Sequence, residues 1–330
     1  MSAGDDARRA YDGKTKPRRS LGRLEELGVR LAEIRGFVPD SLEAAVVVAA
    51  GDHGVAAEGV SAYPSEVTAQ MVLNFASGGA AINVLARQAG ARLVLVDAGV
   101  AVPVDTPGVR ELRLGPGTAS FTSGPAMTDD QASRGLEAGA ALVDELGVDV
   151  VGLGEMGIGN TTSASAITAA LLDVPPEWVC GRGTGVDDAG LARKVDAVRR
   201  GLAANPAREP LSVLAGLGGF EIAVLAGVVL GCARNRAVAL LDGFITTAAA
   251  LVAVRLEPGV GDVLIASHLS PEPGHALLLD ALQLRPLLDL ELRLGEGSGA
   301  ALALPLLRSA VAILAEMATF EDAGVTDAGR

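Results

Sequence analysis

Short runs of β-branched and small apolar residues alternate along this chain with longer helical patterns, and each run ends in a cluster of Gly, Asp or Asn. That order dictates βαβ units, because parallel strands need a crossover and, once buried, are apolar on both faces. The clearest runs are Ala45–Ala49, Arg92–Val96, Val148–Leu153, Ala237–Leu241 and Val263–Ala266. Between them the spacing predicts helices over Gly79–Gln88, Ala132–Leu146, Thr162–Leu172 and Ala189–Ala203, the last with Leu191, Val195, Val198 and Leu202 on one face. The fold class that follows is α/β, a mainly parallel sheet flanked by helices.

The two ends do not alternate with strands. Ser20–Ile34 reads as an amphipathic helix and Ala300–Met317 as a second, interrupted near its start by Pro305; Ala323–Arg330 reads as a frayed tail. The expected division is a small helical unit from residues 1–40 and about 300–330 beside a large α/β unit over 41–299. No repeat of solenoid or propeller period is present.

Only 3% of the 330 residues are aromatic while 49% are hydrophobic, so small aliphatic side chains must fill the interior between closely approaching elements. A net charge of −13 without a Lys/Arg block excludes wrapping of nucleic acid, and any bound anion must be held locally. Cys180 and Cys232 lie far apart among apolar neighbours, without metal or redox spacing, and His268 and His275 add no metal-binding pattern. The charged Met1–Arg19 segment has no apolar core of a secretory signal, so a cytoplasmic protein is expected. Leu211–Cys232 is apolar enough to tempt a membrane assignment, but Glu221 and five glycines break it. It is read as a loop with a buried helix.

Four clusters carry chemistry. Gly154-Glu155-Met156-Gly157-Ile158-Gly159-Asn160-Thr161-Thr162 follows a strand and opens a helix, so its glycines and the helix amides suit a phosphate. Thr161 or Thr162 would either cap that helix or touch the same phosphate. The spacing Gly152-x-Gly154-x-x-Gly157 also matches a dinucleotide fingerprint, but that fingerprint wants an acidic residue closing the next strand about 20 positions later, and this region reads Pro175-Pro176-Glu177-Trp178 after a helix. No Gly-Lys-Ser/Thr follows either, which argues against a P-loop kinase.

The second cluster, Gly181-Arg182-Gly183-Thr184-Gly185 before Arg193 and Lys194, is either an anion clamp or a helix start with solvated cations. The third, Leu294-Gly295-Glu296-Gly297-Ser298-Gly299, places a carboxylate between glycines; it is either a used side chain or a helix entry capped by Ser298. The fourth, Gly51-Asp52-His53-Gly54-Val55-Ala56, ends a strand, where open α/β sheets bind ligands. His53 alone reads more readily as a hydrogen-bonded structural histidine than as a base.

Together and in order, with Ala69-Gln-Met-Val, Leu241-Asp-Gly-Phe and Ser267-His-Leu-Ser, these clusters closely resemble the nicotinate-nucleotide:dimethylbenzimidazole phosphoribosyltransferase family over Ala45 to about Glu316. The resemblance implies a Rossmann-like sheet, a small helical domain from both ends, a homodimer, and catalysis without metal or cofactor. The implied substrates are nicotinate mononucleotide and dimethylbenzimidazole, the products α-ribazole phosphate and nicotinate, in the lower-ligand branch of cobalamin biosynthesis. Other bases or phenols as acceptors, or a non-catalytic nucleotide-binding homologue, stay open as alternatives; no nucleic acid or membrane partner is implied.

By the same resemblance, Glu296 matches the general base. Glu155, Gly157, Ile158, Gly159, Asn160 and Thr161, with Gly183, Thr184 and Lys194, match the nucleotide-phosphate site. Tyr63, Pro64, Gln70 and Leu294 fall where the benzimidazole is expected; His53 and Asp242 lie in matching motifs without an assigned role. Where family members often read Lys-Pro-Pro-Gly-Ser-Leu-Gly, this chain has Lys16-Pro17-Arg18-Arg19-Ser20-Leu21-Gly22, a departure that bears on the first helix and on dimer contacts.

Overall fold

A computed structural model describes residues 2–327. Six parallel strands form one sheet: β1 Ala44–Gly51, β2 Arg92–Gly99, β3 Val109–Glu111, β4 Val150–Met156, β5 Val238–Leu241 and β6 Leu264–Ala266, in spatial order β3-β2-β1-β4-β5-β6. All five predicted strands are present. β3 was not expected: it is three residues long, half-exposed at the sheet edge, and too short to show a pattern. β1 and β4 are central neighbours whose crossovers leave in opposite directions, so the crevice beyond their carboxyl ends is where a ligand belongs.

β4 runs three residues past its predicted end. Ala49 pairs with Glu155 and Ala50 with Met156, because the long β1 supplies partners that the glycine-rich sequence conceals. The loop proper is therefore Gly157–Gly159, and Glu155 projects from a strand.

Leu211–Cys232 is not a loop with one helix but two helices, Pro210–Leu217 and Phe220–Asn235, divided at Gly218-Gly219. The second is buried from Phe220 to Cys232. It lies so close to the Asp129–Leu146 helix that a Cβ on Gly139 would meet the Val224 backbone, and one on Gly227 the Leu136 backbone. This close approach explains how an aromatic-poor sequence fills its core.

The Ser298–Glu316 helix is not interrupted at Pro305, whose ring sits on the exposed face; one backbone hydrogen bond is lost and the helix continues. The same helix is apolar and long enough to cross a bilayer, but it serves here as a core element. Its first turns pack Ala300, Ala303 and Leu304 into the main core, and its last turn packs Leu314 with Ala7, Tyr11, Val29 and Ala32.

The chain's start is ordered as the helix Ala3–Gly13, capped by Ser2, and Tyr11 donates its hydroxyl to the Ala310 carbonyl at 2.7 Å. The departing segment is held by a Lys16–Glu25 ion pair at 2.8 Å, and Arg19 takes a left-handed φ of +59° where the family pattern has glycine. The tail is helical over Phe320–Ala323, and its last residues, 328–330, lie outside the described residues.

Candidate active site

The carboxyl end of β4 delivers Glu155 and Met156 into a cavity that continues along Gly157, Ile158, Asn160 and Thr161. Gly183, Thr184, Ser270 and Glu272 also line it, as do Leu292–Gly295 and His268. The Asn160–Leu172 helix starts at this wall with Gly159 as its N-cap in a left-handed conformation. No side chain among the described residues caps it: neither Thr161 nor Thr162 does so, and the Thr162 hydroxyl is buried without a partner among them. Its positive end thus faces the cavity, with the Asn160 and Thr162 amides already donating to the Gly157 and Gly159 carbonyls at 3.1 and 2.9 Å. The Ile158 amide is not available to an anion, because it donates to Thr68 Oγ1 at 3.1 Å; Ile158 contributes as wall.

Lys194, on the Asp188–Ala204 helix, is fully buried rather than solvated, and its Nζ donates to Thr161 Oγ1 at 2.9 Å. A Cβ on Gly183 would lie 3.3 Å from that Nζ, so the ammonium stands directly behind the Gly183 turn. Burial lowers its pKa, an effect opposed by the charge of Glu272. Glu272 Oε1 in turn accepts the Gly183 amide at 2.9 Å. This carboxylate, with Ser270, His268 and the exposed Arg293, was not found by sequence reasoning; only the Ser267-His-Leu-Ser match pointed near it.

Glu296 occupies an unusual backbone position. Gly295, Glu296 and Gly297 are all left-handed, with φ of +79°, +63° and +84°. A non-glycine residue held there marks strain stabilised by its surroundings. Those surroundings are tight: a Cβ on Gly154 of β4 would come within 2.5 Å of the Glu296 carbonyl oxygen. Glu296 is 5% exposed, its Oε2 has no hydrogen-bond partner among the described residues, and burial raises its pKa against a hydrogen bond from the Ile82 amide. Neighbouring Gly295 lines the cavity, and a side chain on it would strike Glu155 Oε1.

Glu155 accepts a hydrogen bond from Asn160 Nδ2. Burial first, then the charges of Asp242 and Glu221, push it up to about 8. Glu155 and Glu296 therefore belong to one carboxylate group rather than to separate sites.

His53 is buried and hydrogen-bonded at both ring nitrogens. Its Nδ1 meets Ser163 Oγ at 2.9 Å and its Nε2 meets Glu221 Oε1 at 2.7 Å, all buried. It ties the end of β1 to two helices and gives the buried Glu221 its partner. Asp242, at the end of β5, accepts three amides: Gly297 at 3.1 Å, Gly299 at 2.6 Å and Ala300 at 3.2 Å. Ser298 does not cap the helix it opens; its hydroxyl is buried without a partner among the described residues.

The four residues expected around the acceptor are not brought into one cavity. Leu294 lines the main cavity, with 55% exposure. Tyr63 and Pro64 line a second hollow, with Asp52, His53, Gly117 and Thr118, that shares no wall residue with the first, and Gln70 is exposed on the Glu66–Ser77 helix. Met156 links the two regions, lining the main cavity while packing against Ala69 and Val72 of that helix.

Comparison with known proteins agrees along almost the whole chain. A family model described as phosphoribosyltransferase matches residues 1–325. A nicotinate-nucleotide–dimethylbenzimidazole phosphoribosyltransferase of Azotobacter vinelandii is 56% identical over 324 residues, 96% of this chain and 92% of the relative. The protein of that name in Desulforudis audaxviator is 54% identical over 332 residues, 98% of this chain and 93% of its own. The crystal structure of CobT from Thermus thermophilus superposes with a TM-score of 0.94 at 51% identity, covering 98% of this chain and 99% of that one. This chain belongs to the nicotinate-nucleotide:dimethylbenzimidazole phosphoribosyltransferase family.

Proposed function

We propose that the protein transfers the phosphoribosyl group of nicotinate mononucleotide to dimethylbenzimidazole, forming α-ribazole phosphate and nicotinate for the lower ligand of cobalamin. The observation that carries this reading is a buried carboxylate with a raised pKa, Glu296, whose neighbour Gly295 lines the same cavity as a helix N-terminus backed by the Lys194 ammonium.

The chemistry suits those parts. The C1′–N bond of the nucleotide breaks with its electron pair passing to a quaternary pyridinium nitrogen, which leaves neutral and needs no Lewis acid. One benzimidazole nitrogen attacks C1′ from the opposite face, inverting β to α. The other nitrogen loses its proton to Glu296, whose raised pKa brings it closer to that task. The phosphate sits against the Gly157–Thr161 segment, Gly183 and Thr184, with Lys194 acting through the wall, so that sugar and base are held in line. The acceptor lies on the side of Leu294 and Met156, the two apolar wall residues nearest the carboxylates.

The reading extends to a homodimer acting in the cytoplasm, with the terminal helices as a small second unit. The two free, buried cysteines suit a reducing compartment. Incubation with nicotinate mononucleotide and dimethylbenzimidazole, followed by mass analysis, tests the function. α-Ribazole phosphate and nicotinate are the expected products, and nucleotide binding without nicotinate release overturns the assignment.

A further inference from the structure

We propose that Asp242 is the positioning residue of the reaction: its carboxylate fixes the left-handed turn that presents Glu296. The proposal rests on Glu296 being that base.

The helix Ser298–Glu316 opens directly after Glu296, yet nothing in its own sequence caps it, since Gly297 is the N-cap and Ser298 makes no capping bond. The cap comes instead from β5. Asp242 Oδ2 takes the amide of Gly297, the residue bonded to Glu296, while Oδ1 takes those of Gly299 and Ala300. A carboxylate is the one common side chain that offers only acceptors on both oxygens, which three converging N–H groups require. A protonated acid or an amide would turn a donor toward one of them, and the turn would shift. The position is closed on the remaining side by His268, whose Nε2 is 3.6 Å from Asp242 Oδ1 and whose ring fills the space beside Gly299.

The charge has a second effect. Asp242 is fully buried at the sheet's end, and its ionised form raises Glu155 on β4. Burial raises Asp242 itself to about 7, the three amides holding it down and the charge of Glu296 pushing it up. The titratable groups facing this cluster are Glu155 from β4, Glu296 from its turn, His268 after β6 with Asp289 beyond it, and Glu221 through Glu155.

The test compares Asp242→Asn, Gly299→Ala and Glu296→Gln with the wild type, measuring kcat, nucleotide KM and melting temperature. Asp242→Asn is expected to lower kcat at least about 30-fold with nucleotide KM within about threefold. Gly299→Ala keeps the carboxylate but drives a methyl into His268 and Asp242; it should lower kcat with nucleotide KM again within about threefold. It decides the matter if Asp242→Asn does not fold. Wild-type kcat in either variant overturns the proposal. So does a loss of nucleotide affinity and melting temperature in Asp242→Asn that parallels the loss of kcat, which is the mark of a purely structural residue. Full activity in Glu296→Gln removes the base assignment instead, independently of the Asp242 result.

Discussion

The Lys194 ammonium donates to the Thr161 hydroxyl at 2.9 Å from a fully buried position, placing a positive charge behind the first turn of the Asn160–Leu172 helix. Helix dipole and ammonium thus point the same field at the cavity. Lys194→Ala should raise the nucleotide KM roughly 10- to 100-fold, the equivalent of losing one charge-assisted hydrogen bond. The change in kcat should be smaller, because the phosphate is held alike in ground and transition states. Steady-state kinetics at saturating dimethylbenzimidazole checks this, and an unchanged KM removes Lys194 from phosphate binding.

Gly154 is the floor on which the Glu296 turn rests. A methyl there would meet the Glu296 carbonyl oxygen at 2.5 Å and the Gly297 nitrogen at 2.6 Å, backbone atoms with no freedom to retreat. Gly154→Ala should cost about 1–3 kcal/mol in denaturant unfolding and lower kcat through displacement of the base. Wild-type stability and turnover together would show that the contact is slack.

Glu155 makes stability depend on pH. Its carboxyl rises from an ordinary 4.5 to about 8 in the folded chain, chiefly through burial. The native state therefore binds its proton more tightly than the unfolded one. No cost arises below the unfolded pKa, and stability is lost as pH climbs from 4.5 through about 8. Glu155→Gln, which cannot ionise, should melt above the wild type at about pH 9 and lose that advantage near about pH 4. Parallel melting curves across this range check it; a constant gap contradicts the shift.

His53 and Glu221 form a buried pair 2.7 Å apart. Removing one member leaves the other without its partner, so His53→Ala should destabilise by about 3–5 kcal/mol. The His53→Ala/Glu221→Ala double variant should lose less than the sum of the single losses. Additive losses would mean that the pair does not act as a unit.

The fold was largely legible because β1, β4 and β5 are apolar on both faces, a pattern that survives without knowledge of neighbours. β3 was hidden by its brevity. The extension of β4 through Glu155 was hidden because Gly154 looks like loop chemistry, while its strand character comes from pairing with β1. Roles decided by distant partners were not legible either. The amides that donate to Asp242 lie 55 to 58 residues away and the Glu221 partner of His53 168 away, so local spacing could not assign them. Pro305 misled for the opposite reason, since local propensity marked a break that packing of the helix overrides.

The measurement that bears most directly on the account is single-turnover formation of α-ribazole phosphate by Glu296→Gln, run beside nucleotide titration of the same variant. Loss of the base should slow the chemical step by about 10²–10⁴-fold. Nucleotide affinity should stay within about threefold of wild type, because the phosphate cradle is untouched. An undiminished rate, or a loss of affinity as large as the loss of rate, contradicts the assignment of Glu296 as the group that takes the benzimidazole proton.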